Sequence, residues 1–453
     1  MLSQADNELL TRVGPGTPMG TLMRRYWHPI AASSEMDQNA TRAVRLLGED
    51  LTLYKDRGGR LGLIGDRCPH RKVNMLYGIP EAEGLRCPYH GWLFNHEGRC
   101  TEQPYEQAED PNSNFKDKVR TPAYKVEELG GVIFAYMGPE PAPLLPRWDM
   151  FVMENVYRDV ASCVIPCNWL QIMENSLDPV HAEWLHSYFS NYVLERMGMG
   201  ERKVLAWVKD RFVSRAWEHK RIGFDVYEHG IVKRRMLGGE TEEDENWRIG
   251  HPILFPHILR SGSGANEKGG VFNFQYRVPV DDENTYHFWF TVYVPPQGTV
   301  VSPQETIPFY EAGIPTPGED GNPRWLMLDN APGQDIMAWV TQGPVADRTT
   351  EKLGLSDKGI ILYRRLLRQE LDKVMRGEEP MNVFRDPEQN RFIPVPQEMR
   401  GGINWPFRAQ GNSGASVWTL RNGTVESLYP NWINTARPIV EAGGDTIRNP
   451  KSV

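Results

Sequence analysis

Residues 68–92, CPHRKVNMLYGIPEAEGLRCPYHGW, constrain this chain more than any other stretch. One residue separates Cys68 from His70, two separate Cys87 from His90, and sixteen lie between the pairs. Each pair delivers one sulfur and one nitrogen donor from a single short loop. Two such loops can clamp a shared centre from both sides. Pro69 and Pro88 stiffen the backbone beside each cysteine, and Gly91 allows a close approach of the chain.

Zinc and iron both take thiolates and imidazoles together. Zinc takes them tetrahedrally, but its ligand pairs usually have two to four residues between them, so the single residue between Cys68 and His70 suits it poorly. A binuclear iron–sulfur cluster of Rieske type uses two thiolates on one iron and two imidazoles on the other, which raises its reduction potential above that of an all-thiolate cluster. The order and spacing of Cys68, His70, Cys87 and His90 favour the cluster. The imidazole ends are then expected towards the surface, where an electron leaves. Cys100, Cys163 and Cys167 read as small buried hydrophobes; the last two, four apart, would approach one another on a helix.

The flanking sequence supplies a β-rich frame. AVRLLGEDLTLYKDRGGRLGLIG (43–65) reads as three strands joined by tight turns, GWLFNHEGRC (91–100) as two more turning at Asn95–Gly98, and the β texture runs to GGVIFAYMG (130–138). Residues 1–36 read as a helical segment followed by an extended entry, with Thr17-Pro18 capping a helix through MGTLMRRYW (19–27), and the segment 1–40 is expected to pack on the catalytic domain. GPEPAPLLP (138–146) is a proline-rich linker. Beyond it, QIMENSLDPVHAEWLHSYF (171–189) is helix-like. VFNFQYRVPV (271–280) and YHFWFTVYVP (286–295) form a hairpin with one aromatic face. DKGIILYRRLLRQELDKVMRG (357–377) is an amphipathic helix capped by Ser356 or Asp357 and stopped at Gly377. Residues 378–453, rich in Pro, Gly and Asn, are expected to wrap the surface. The expected division is 1–40, 41–150 and 151–453.

Composition narrows the function classes. With 453 residues the chain can bury a large core, and 51 basic against 59 acidic residues leave a net charge of −8, unsuited to a nucleic-acid or membrane-surface binder. MLSQADNELLTRVG has neither the basic nor the apolar region of a signal peptide, and no apolar run reaches eighteen residues. Five sparse cysteines suit a reducing compartment, so a cytoplasmic location is expected.

A second constellation lies in NSLDPVHAEWLH (175–186). Asn175, Asp178 and His181 stand three apart, a ladder on one helical face. His186 falls about 140° further round an ideal helix, so both imidazoles reach one metal only if the helix kinks, widens or ends. Pro179 disfavours helical geometry at Asp178, though Asp178 reads equally well as a cap with Pro179 in the first helical position. Two histidines and a carboxylate with open positions make the facial triad of non-haem iron oxygenases. On chemistry alone Asp335, Asp329 and Asp347 compete for the carboxylate. The remaining histidines, His251 and His257 included, read as structural. GPGTPMG and GSGAN lack the full dinucleotide fingerprint, so no nicotinamide site is expected on this chain.

Taken together, these motifs resemble the oxygenase (alpha) component of Rieske non-haem iron oxygenases, in the phthalate dioxygenase-like group. The resemblance runs through TPMGTLMRRYW, CPH…CPYHGW, SNFKDKV, ENSLDPVHAEWLH and QD…QGPVADRTTEKLGLSD, essentially the whole chain. It implies an α+β protein: an N-terminal all-β Rieske domain and a C-terminal helix-grip catalytic domain, an antiparallel sheet around a long helix. It implies one [2Fe–2S] cluster on Cys68, His70, Cys87 and His90, and one mononuclear Fe(II) on His181, His186 and Asp335. Asp178 matches the carboxylate that bridges the two centres, with Asn175 beside it. Lys72-Val73-Asn74 departs from the Gly-Ala-type residues common in relatives. The implied activity is dioxygen-dependent oxidation of an aromatic carboxylate by ring hydroxylation, dihydroxylation or O-demethylation. NADH or NADPH would serve only through a separate flavin/iron–sulfur reductase, with or without a ferredoxin, and the assembly would be a homotrimer or stacked hexamer. Arg202, Lys203, Lys209 and Arg211 are candidates for the substrate carboxylate. A Rieske electron carrier and a zinc-stapled binding module are the competing readings.

Overall fold

The computed structural model describes residues 1–397 apart from 197, 199–217, 268, 302, 316, 319, 329 and 330. Its described strands form a six-stranded, a four-stranded and an eight-stranded sheet.

The six-stranded sheet orders Trp27–Ala32, Val132–Tyr136, Ala123–Leu129, Leu61–Gly65, Glu49–Lys55 and Thr41–Leu46, every pair antiparallel. The three strands read from residues 43–65 are present. The first strand starts at Trp27, the last residue of the stretch expected to be helical, and takes up the extended entry after it. The helix capped by Thr17, whose hydroxyl accepts from Gly20 N–H, covers only Pro18–Met23. WHPIAA is buried at every position and so lacks the alternation that marks a half-exposed strand. A boundary at residue 41 would cut this sheet. The four-stranded sheet, Ile79–Glu81, Gly84–Arg86, Leu93–Phe94 and Cys100–Glu102, carries the second cysteine loop at one end.

The eight-stranded sheet runs His219–Tyr227, Gly230–Leu237, His251–Leu254, Ile258–Asn266, Gly269–Pro279, Thr285–Val294, Tyr157–Ile165 and Phe309–Glu311. Its central hairpin pairs Pro279 with Thr285 and Phe274 with Phe290. One edge departs from the antiparallel expectation: Tyr157–Ile165 and Phe309–Glu311 pair in parallel. Cys163 lies on this sheet and Cys167 in the turn after it, not on a helix; both are buried free thiols.

The helix Lys358–Met375 packs Leu366, Leu367 and Leu371 inward and ends in Gly377 at φ +80°, where Glu378 N–H reaches the Lys373 carbonyl. A buried ion cluster ties it to the site: Glu174 lies 2.8 Å from Arg348 and 2.6 Å from Arg364, and Arg364 also pairs with Glu351. His257 and His28 are buried, hydrogen-bonded to each other at 2.9 Å, and His28 also reaches the Met23 carbonyl. Residues 378–397 pack inward in part, with Ile393 and Val395 buried, and the rest of the tail lies outside the described residues. Among the described residues no helix is long and apolar enough to cross a membrane.

Candidate metal centres

The two cysteine loops repeat one backbone design. Cys68 N–H donates to the Val73 carbonyl and Lys72 N–H to the Cys68 carbonyl, both at 2.9 Å; Cys87 N–H donates to Trp92 and Gly91 N–H to Cys87, at 2.8 and 3.1 Å. Each turn closes through a residue in the left-handed region, Lys72 at φ +63° and Gly91 at φ +73°. The design buries both sulfurs, with Cys68 1% and Cys87 2% exposed among Met75, Leu85 and Phe94. His70 and His90 are exposed, their rings 4.5 Å apart, and the Trp92 indole stacks on His70 at 4.4 Å.

Burial pushes the Cys68 thiol up to about 11, against the pull of nearby backbone N–H groups. A thiol raised in this way stays protonated at neutral pH, and a bound metal is what makes it ionise. Sulfur donors inside and imidazoles outside fit a cluster whose histidine-held iron faces a redox partner.

The second site forms where the 171–189 helix is broken. Helix Trp169–Ser176 ends, Pro179 interrupts it, and a short helical turn resumes at His181–Glu183. Trp184–Tyr188 is then a π-helical turn before Phe189–Arg196 continues as α-helix. This wider turn removes the angular mismatch between His181 and His186. The break between Ser176 and His181 also means that Asn175, Asp178 and His181 do not share a face of one continuous helix. Asn175 contributes its backbone carbonyl, which accepts from Asp178 N–H at 3.0 Å.

Helix Ala331–Val340 brings in Asp335. Its Oδ1 lies 3.2 Å from His186 Nε2 and 3.6 Å from His181 Nε2. One donor atom from each of these three residues falls within 4.8 Å of the others. Asp335 Oδ1 is buried without a hydrogen-bond partner, an orphaned oxygen between two imidazole nitrogens that a divalent cation would satisfy. Asp347 is an exposed turn residue whose carboxylate accepts from Thr349 and Thr350, and Asp329 lies outside the described residues.

The far nitrogen of each imidazole faces a neighbour. His186 Nδ1 donates to Gln334 Oε1 at 2.9 Å, and the buried Gln334 amide donates onward to Ser190 Oγ and the Leu328 carbonyl, each at 2.8 Å. His181 Nδ1 lies 3.5 Å from Asp178 Oδ2, an ionic contact longer than a good hydrogen bond. Asp178 Oδ1 meanwhile accepts from Val180 N–H at 2.8 Å, so it is both cap and histidine neighbour. Both arrangements leave Nε2 directed at Asp335, the arrangement that orients histidines on a metal.

The electrostatics follow. Burial raises Asp335, but His186, His181 and Arg277 outweigh it and hold the carboxylate below its ordinary range. Asp178 is held low against burial by His181, the Val180 N–H and Lys233. Two imidazoles and one carboxylate, three donors in all, suit a divalent ion that keeps further positions for small ligands such as dioxygen.

Gln334 was not legible beforehand, although its place next to Asp335 was the available signal. Arg202, Lys203, Lys209 and Arg211 lie outside the described residues.

The Rieske [2Fe-2S] domain family matches residues 26–124, starting just before the strand at Trp27, and a LigXa C-terminal-domain-like family matches residues 320–391. The chain is 43% identical to the 5,5'-dehydrodivanillate O-demethylase oxygenase subunit of Sphingobium sp. (strain NBRC 103272 / SYK-6), over 89% of this chain and 88% of that one. It is 31% identical to the phthalate 4,5-dioxygenase oxygenase subunit of Pseudomonas putida, over 94% and 98%. Among solved structures, NdmA from Pseudomonas putida CBB5 aligns with a TM-score of 0.57 at 18% identity, over 85% of this chain and all of that one, a likeness of fold.

Proposed function

Because the chain belongs to the Rieske non-haem iron oxygenases as an oxygenase component, we propose that it oxidises a methoxylated aromatic acid, with O-demethylation as its reaction. The observation that carries the site is the convergence of His181, His186 and Asp335 within 4.8 Å around an orphaned carboxylate oxygen. The choice of reaction is supported by the 43% identity to an O-demethylase subunit across nearly the full length, against 31% to a ring dioxygenase subunit.

Cys68, Cys87, His70 and His90 would hold a [2Fe–2S] cluster, and His181, His186 and Asp335 a ferrous ion. When bound, these groups supply electron storage and dioxygen activation. Gln334 and Asp178 keep the two imidazoles in the orientation that leaves Nε2 free. In sum an aryl methyl ether, dioxygen, two electrons and two protons become a phenol, formaldehyde and water. The electrons enter from a separate reductase, which draws them from NADH or NADPH. The exposed His70 and His90 are the contact through which an electron leaves the cluster. A homotrimer or stacked hexamer would set His90 of one subunit beside Asp178 of the next, and a cytoplasmic location suits the supply of reduced cofactor.

Turnover with a compatible reductase over a panel of methoxylated and unmethoxylated benzoates tests this reading. Formaldehyde and a phenol should form in equal amounts from a methoxylated acid. A cis-dihydrodiol as the main product, with no formaldehyde, would replace O-demethylation by ring dioxygenation.

A further inference from the structure

Arg277 is 1% exposed, yet among the described residues no carboxylate forms an ion pair with it. Its guanidinium donates to the Gln275 carbonyl at 2.6 Å and to Gln275 Oε1 at 3.1 Å, both neutral, and Nε is buried without a partner. A buried cation with only neutral acceptors is expensive unless an anion completes its shell.

Its position says where that anion would sit. Arg277 is the direct cross-strand partner of His287, so the two share one face of the eight-stranded sheet. His287 stacks on Trp339, ring centroids 5.5 Å apart, and Trp339 belongs to the helix that carries Asp335. Arg277 therefore lies on the sheet face under the iron-site helix, and its charge acts on Asp335. Asp335 is not its counter-ion in the working site, because there the carboxylate would be neutralised by the metal it holds.

The same face carries a polar row beside Trp289, the cross-strand partner of Gln275. Gln275 Nε2 donates to Ser261 Oγ at 3.2 Å, Ser261 to Asn273 Oδ1 at 3.2 Å, and Asn273 Nδ2 to Thr291 Oγ1 at 2.9 Å. Gln275 and Ser261 are part-exposed in the middle of the sheet, whereas Phe274 and Tyr276 on the opposite face are buried. Gln275 and Ser261 thus reach solvent from the face that carries Arg277. Burial lowers the Arg277 guanidinium to about 9, which still leaves it charged at neutral pH.

We propose that Arg277 is the receptor for the carboxylate of the aromatic substrate, with the polar row from Gln275 to Thr291 as the floor of the substrate pocket. This rests on the aromatic-acid reading above and names the residue that enforces it. Charge-assisted contacts to a buried guanidinium discriminate strongly between an acid and its neutral analogue.

Anaerobic calorimetric titration of the iron-loaded enzyme tests the assignment without turnover. The probes are vanillate, phthalate, 3-chlorobenzoate and the primary amide of each. Wild-type protein should bind at least one acid better than its amide, by about a hundredfold. Arg277→Gln should erase most of that preference while binding the amide as wild type does. Arg277→Lys, which keeps the charge and protects against a folding failure in the first variant, should weaken the acid about tenfold and leave the amide unchanged. An acid bound equally well by wild type and both variants overturns the role of Arg277 and leaves the aromatic-acid reading standing. Wild-type protein that binds no acid better than its amide overturns both.

Discussion

Lys72 and Gly91 hold the same place in the two cysteine loops: each is fourth after its cysteine, donates its N–H back to that cysteine's carbonyl, and has φ near +70°, at +63° and +73°. The two loops are thus copies of one turn, and only one of them uses the residue to which that conformation is free. An L-residue in the left-handed region costs about 1–2 kcal/mol, offset in part by its lower freedom in the unfolded chain.

Lys72→Gly is therefore expected to leave the thermal midpoint of the cluster-loaded protein unchanged or raise it by the equivalent of up to about 1 kcal/mol. Gly91→Ala should lower it by a similar amount or more, because the added methyl would also sit 3.2 Å from Pro104 Cγ. Melting followed at the visible cluster absorption compares the two. A destabilised Lys72→Gly would mean that the lysine side chain contributes something beyond the turn.

His181→Ala and His186→Ala should each abolish oxygenation and leave the cluster absorption intact, since one donor set sits on two loops and the other on helical segments far along the chain. Near-normal turnover in either variant would remove that histidine from the site.

Asp335→Ala should lose the mononuclear iron and keep the cluster, because two neutral imidazoles leave the charge of a ferrous ion uncompensated. Iron analysis decides it: full occupancy here, with loss in Asp347→Ala or Asp329→Ala, would move the carboxylate ligand.

Asp178→Asn preserves shape but weakens the interaction with His181, so both metals should remain while the electron reaching the iron site arrives much more slowly. Stopped-flow reoxidation of the reduced cluster is the readout. An unchanged rate, or full activity in a stable monomer, would contradict electron transfer between subunits through this residue.

Glu174→Gln should destabilise the protein by roughly 3–5 kcal/mol, because it leaves the buried Arg348 and Arg364 short of their shared anion. Burial raises Glu174, but the two guanidiniums outweigh it and hold it low. That contribution is present above the unfolded carboxylate value of about 4.3 and is lost as pH falls through the lower folded value. Denaturant unfolding of both proteins at neutral pH measures the difference, and a change below about 1 kcal/mol would assign the cluster no structural weight.

The donor residues were readable in the sequence because their spacing is itself the signal: Cys68-x-His70 and Cys87-x-x-His90 need nothing from the rest of the chain. The second site was legible only in part. Residues 175–186 announced two histidines on mismatched helical angles, but not that a π-turn at Trp184–Tyr188 resolves the mismatch. Arg277 was hidden for a different reason. In VFNFQYRVPV the aromatic positions read as the inward face and Asn273, Gln275 and Arg277 as the solvent face. In the folded sheet that second face lies under the helix of Asp335, so Asn273 and Arg277 there are buried. Trp27–Ala32 failed as a strand in the sequence because a fully buried run shows no alternation.

The most direct test of the account is a single turnover without reductase. Protein with its cluster chemically reduced and its mononuclear iron ferrous is mixed with dioxygen and vanillate, alongside Asp335→Ala loaded with the same cluster content. The account predicts reoxidation of the cluster coupled to formation of a phenol and formaldehyde in the wild type, and no product in the variant. Equal product from the variant, or cluster reoxidation in the wild type that yields no organic product from any aromatic acid, would contradict it.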